Sequence, residues 1–105
     1  MRVVYKYNQE EIKIEDVKEH YSHRVVLVQT FKRVRRCYLP LKVDNYWSAQ
    51  VLGFKGLLDI DNVIVRYDSL QMLLNSLLRN SQTEAFVFKT NKELFDFIGG
   101  IATNE

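Results

Sequence analysis

Four cations in five residues, Lys32-Arg33-Val34-Arg35-Arg36, are the strongest chemical signal in this chain. Lysine offers a compact point charge. Arginine offers a planar fork that can chelate a phosphate or a guanine edge with two hydrogen bonds. The cluster sits inside a stretch of 24 residues, His20 to Val43, that holds no carboxylate, two further cations (Arg24 and Lys42) and both histidines of the chain. Residues 1–55 contain eleven Lys or Arg against six Asp or Glu, and residues 56–105 contain four against seven, so the formal net charge of +2 conceals a dipolar chain. Clustered like charge repels itself unless a partner of opposite sign offsets it. The expected partner is therefore a polyanion or an acidic surface.

Nucleic acid fits that chemistry best. A two-stranded basic ribbon suits the major groove of DNA, and Phe31 and Tyr38 beside the cluster are of the type that stacks on unpaired bases. Arg24, Lys42 and Tyr38 are expected as auxiliary contacts. Tyr46 and Trp47 follow directly and are aromatic residues of the kind enriched at interfaces, although Trp47 equally suits a core position. The alternative is a protein-binding accessory or inhibitor module that docks the same residues on an acidic protein partner, such as a DNA-processing one. The plainest reading is that charges on a strand edge simply block edge-to-edge association.

Other constellations are weaker. Asp16, His20 and His23 stand at i, i+4 and i+7, one face of a helix, where a carboxylate and two imidazoles could hold a metal ion; typical structural zinc sites need four ligands, and only three are present. Asp59 and Asp61, with Asp68 downstream, resemble paired magnesium-binding carboxylates only loosely, and Asp61-Asn62 suits a turn. Cys37 could pair with His20 or His23 as nucleophile and base, yet its place in Cys37-Tyr38-Leu39 predicts a buried, inert thiol. No phosphate-binding loop, dinucleotide fingerprint or nucleophile elbow occurs. The expectation is a non-enzymatic binding protein without cofactor or metal.

The elements that must position the basic cluster are legible in part. Length, 47% hydrophobic and 27% charged residues predict one globular domain over residues 1–105. No apolar run approaches the ~20 residues of a membrane span, and the single cysteine suits a reducing interior, so a cytoplasmic protein without membrane contact is expected. Arg2 to Tyr7 reads as a strand, Asn8-Gln9-Glu10 as a turn, and Ile12 and Ile14 as a returning strand. Glu15 to Ser22 suggests a two-turn helix with Val17 and Tyr21 on one side. Val25–Phe31 and Val34–Leu39 read as antiparallel strands folded over at Lys32-Arg33, with Thr30 and Gln29 facing Arg35 and Arg36. Pro40 should end the pairing or lie on an edge.

Residues 45–60 alternate like a strand at Trp47, Ala49 and Val51 but also admit a helical spacing; Gly53 and Gly56 favour strand. Asn62 to Tyr67 reads as a strand. Asp68 suits an N-cap, and Leu70, Leu73, Leu74, Leu77 and Leu78 form one apolar helical stripe ending near Asn80. That stripe should cover the sheet, or could pair two copies of the chain as a homodimer. Ala85 to Lys89 reads as a strand, and Thr90-Asn91-Lys92-Glu93 as a capping box for a helix that Gly99-Gly100 could stop early. The predicted fold class is α+β, a mainly antiparallel sheet with two or three helices packed on one face.

Overall fold

The computed structural model describes residues 3–5, 10–52, 59–60 and 63–103. The strands are β1 (Val3–Tyr5), β2 (Glu11–Ile12), β3 (Val25–Phe31), β4 (Val34–Val43), β5 (Tyr46–Val51), β6 (Asp59–Ile60), β7 (Val63–Ile64) and β8 (Thr83–Val87); the helices are α1 (Leu70–Leu77) and α2 (Asn91–Thr103). Six strands form one sheet in the order β2-β1-β8-β3-β4-β5. Every neighbour pair in it is antiparallel except β1 with β8. The fold is α+β, as the sequence predicts.

The centre of the sheet follows from Val25-Val26-Leu27-Val28. A strand with one wet face alternates apolar and polar residues, whereas an unbroken apolar run must be covered on both sides. All four residues are buried. Val25 and Leu27 join a cluster with Leu70, Leu73, Leu74 and Leu78 of the α1 region, while Val26 and Val28 join Cys37, Phe88 and Leu94 beneath α2. The two helices therefore lie on opposite faces, not together on one as expected. Phe86, Phe88 and Phe97 tie α2 down, with ring centroids 5.1 Å apart for Phe97 against each of the other two.

Helix starts follow local chemistry. Ser69, not Asp68, caps α1: its Oγ accepts the Met72 N–H at 3.1 Å. Serine and aspartate cap about equally well, so the choice between neighbours is set by tertiary contacts. Substituting Ser69 with alanine is expected to cost about 1 kcal/mol, read in a thermal melt as a fall of roughly 4–8 °C. Thr90 caps α2 as anticipated, its Oγ1 accepting the Glu93 N–H at 3.2 Å and donating to Glu93 Oε1 at 3.4 Å. Gly99 and Gly100 do not stop α2, which runs on to Thr103.

Residues 14–24 depart further. In place of one α-helix there are two 3-10 segments, Ile14–Asp16 and Glu19–Arg24, separated by extended backbone at Val17 and Lys18. Val17 is fully buried against the α1 cluster, and Gln71 Nε2 donates to its carbonyl at 2.6 Å. Anchoring that one residue breaks the helical register. Pro40 ends pairing on one side only: the β3 register stops at Tyr38, while β4 continues against β5 through Pro40 to Val43. Residues 46–51 are strand, as favoured. Of Asn62 to Tyr67, only Val63–Ile64 is a named strand, and Tyr67 forms a lone bridge to Trp47. The turn at Asn8-Gln9, and Gly53, Gly56, Asp61 and Asn62, fall outside the described residues.

Candidate functional site

The hairpin β3–β4 is the frame of the site. Its register pairs Gln29 with Arg36, Thr30 with Arg35 and Phe31 with Val34. Two residues, Lys32 and Arg33, make the turn, at φ 48° and 70°. Positive φ at both central positions is the signature of a type I′ turn, whose twist matches that of the flanking strands but which ordinarily draws Asn-Gly or Asp-Gly. Side-chain-bearing residues there cost roughly 1–2 kcal/mol each. Two cations thus occupy the most strained backbone of the hairpin.

Alternation then distributes the rest of the cluster. Tyr38 faces α1, so Arg36 and Gln29 share that face, whereas Arg35 and Thr30 lie on the α2 face with Cys37. Lys32, Arg33, Arg35 and Arg36 are all exposed. Across β3, β4, β5 and β8 the one acidic residue is Glu84, opposite Val28 and two positions back from the charged end. Thr30 N–H donates to Gln82 O at 3.0 Å, so the loop after α1 abuts the hairpin end, and exposed Arg79 belongs to that loop.

The remaining expected contacts fall elsewhere. Lys42 is six residues along β4 from Arg36, about 20 Å at strand rise, and Tyr46 is further still beyond the next turn. Arg24 precedes β3, at that same far end; its guanidinium lies 4.8 Å from the Tyr21 ring centre and Nη1 donates to Lys89 O. Arg24, Lys42 and exposed Tyr46 are therefore not part of the surface formed by Lys32 to Arg36. Tyr38 and Trp47 are 5% and 4% exposed, both members of the α1-face core. Their aromatic faces serve packing, and the contact set narrows to the hairpin end. The Phe31 side chain is outside the described set.

On the α1 face the hairpin end encloses space. Gln29, Lys32, Val34 and Arg36 line an open depression of about 350 Å³. A second, of about 230 Å³, lies between Gln29 and Tyr38 on the sheet and Tyr67, Ser76 and Asn80 around α1. Gln29 borders both. Within the second, Tyr38 Oη donates to Gln29 Oε1 at 2.9 Å and Tyr67 Oη lies 2.9 Å from Ser76 Oγ.

The other constellations do not assemble. Asp16 lies in one 3-10 segment and His20 and His23 in the next, with His20 packed on Tyr21 at 4.0 Å between ring centres. Among the described residues no group of three His, Cys, Asp or Glu is placed to hold a metal ion. Cys37 is buried beneath α2. Asp59 pairs with Ile64 in the β6–β7 ribbon and Asp68 is exposed before α1. Among the described residues no helix is long and apolar enough to cross a membrane. No known protein family, curated protein or solved structure matches the chain, so its functional reading rests on its own residues.

Proposed function

We propose that this protein binds nucleic acid through the tip of the β3–β4 hairpin, with Lys32, Arg33, Arg35 and Arg36 as phosphate contacts. The observation that carries the reading is the turn itself. Lys32 and Arg33 hold positive φ where Asn-Gly would be cheaper, and strain kept at a charged, exposed tip points to a use for the charge. Simple protection of a strand edge would not require cations at those two positions. Charge on both faces of the ribbon suits a polyanion that meets the tip end-on, as a backbone of regularly spaced phosphates does.

A docking site for an acidic protein is the second reading, favoured by Val34, which is 55% exposed among the cations and could fill an apolar hollow on a partner. Fluorescence anisotropy separates the two. Labelled single-stranded DNA, duplex DNA and RNA are titrated across ~50–300 mM salt, where phosphate contacts make log affinity fall linearly with log salt. Binding of at least one of them with a steep slope is expected. Absence of binding to all three at the lowest salt would sink the nucleic-acid reading and leave the tip to an acidic protein.

A further inference from the structure

We infer that the two depressions that share Gln29 as a lining residue form a subsite for one unpaired nucleotide, the phosphate at Lys32 and Arg36 and a carbonyl-bearing base beside Asn80. The inference rests on the nucleic-acid reading above and goes beyond it by assigning a base-reading pocket and a preference among bases. Its basis is the direction of two side-chain amides. Tyr38 Oη donates to Gln29 Oε1 at 2.9 Å, and Gln82 N–H donates to Asn80 Oδ1 at 2.9 Å. Each amide carbonyl is thereby engaged, and each NH2 group, with two donors, is left for the space its residue borders.

Two amides whose NH2 groups border one hollow suit a ligand rich in acceptors. Thymine and uracil present two ring carbonyls, whereas adenine presents none. The Tyr67–Ser76 hydroxyl pair on the α1-side wall retains acceptor lone pairs for a ring N–H. The adjoining depression, bordered by Lys32 and Arg36, supplies the countercharge for the phosphate. A base inside a duplex has these edges engaged by its complement. An unpaired strand or a free nucleotide offers the same chemistry, and the test separates them.

The experiment uses the full chain and strands of abasic sites carrying one thymine, one adenine or no base, at low salt. The thymine strand is expected to bind about tenfold more tightly than the other two, the equivalent of ~1.4 kcal/mol. The double variant Gln29→Met/Asn80→Ser, in which serine keeps an oxygen for the Gln82 N–H, should erase that preference. Equal binding of all three strands by the native chain overturns the subsite while leaving the cationic hairpin as a phosphate binder; this comparison needs no variant to fold. Failure of every strand to bind removes both readings together. Thymidine monophosphate added as competitor names the source. Displacement of the thymine strand at a concentration near the strand's own dissociation constant identifies a free nucleotide as occupant, and displacement only far above it identifies a strand; both outcomes support the subsite.

Discussion

Replacing Arg33, Arg35 and Arg36 together by alanine is expected to weaken binding to a single strand about 100-fold at 0.1 M salt. Each phosphate neutralised on a single strand contributes ~0.7 to the slope of log affinity against log salt, so three lost contacts flatten it by about 2. Plots for the two proteins converge near 1 M, where released counterions gain little, and therefore stand about two decades apart at 0.1 M. The fold should tolerate the change. All three side chains are exposed, and exposed substitutions usually move stability by no more than ~0.5 kcal/mol, so circular dichroism and melting should match the native chain. Single variants carry a finer expectation, because Arg36 shares the α1 face with Gln29 while Arg35 lies on the other. Equal losses from Arg35→Ala and Arg36→Ala mean a strand that wraps the tip. A loss from Arg36→Ala alone means one that follows the α1-face depressions. An unchanged salt slope in the triple variant would show that these arginines do not meet phosphates, whatever the affinity.

The hairpin and its register could be read from sequence because both are local. Val25 to Phe31 is mostly β-branched and apolar, Val34 to Leu39 carries Val, Cys, Tyr and Leu, and the two residues between them, Lys32-Arg33, take the bend. The placement of helices on two faces was also legible in principle, since Val25 to Val28 has no polar residue to leave a face wet. What stayed hidden depends on distant partners. The parallel pairing of β1 with β8 joins residues some eighty positions apart, and no local pattern records it. Residues 14–24 have the spacing of a short helix, yet burial of Val17 against α1 imposes extended backbone in the middle. Gly99 and Gly100 lower helix propensity by about 1 kcal/mol each, and packing of Phe97 and Ile98 against the α2-face cluster overrides it. The site shows the same division. The charge of the tip is written in four residues out of five, whereas Tyr67, Ser76 and Asn80 come beside Gln29 only through the packing of α1 and its flanking segments on the sheet.

Function and stability should move in opposite directions at the turn. The double variant Lys32→Asn/Arg33→Gly installs the pair that a type I′ turn prefers, and it is expected to stabilise the fold by roughly 1–3 kcal/mol while weakening nucleic-acid binding. Relief of strain at the two left-handed residues is worth ~1–2 kcal/mol each, partly offset by the ~0.5–1 kcal/mol that glycine adds to the entropy of the unfolded chain. In a domain of this size each kcal/mol corresponds to a melting-temperature rise of roughly 4–8 °C. The same change removes two of the four cations at the hairpin end, which should flatten the single-strand salt slope by about 1.4 if each meets a phosphate. The single variants separate the two effects: Arg33→Gly relieves the residue at φ 70° and removes one charge, whereas Arg33→Ala removes that charge and keeps the strain. Both should lose the same affinity, but only Arg33→Gly should gain stability. A double variant that melts higher and binds as tightly as the native chain would mean that the turn cations serve no ligand, and the argument from strain to function would fall with it.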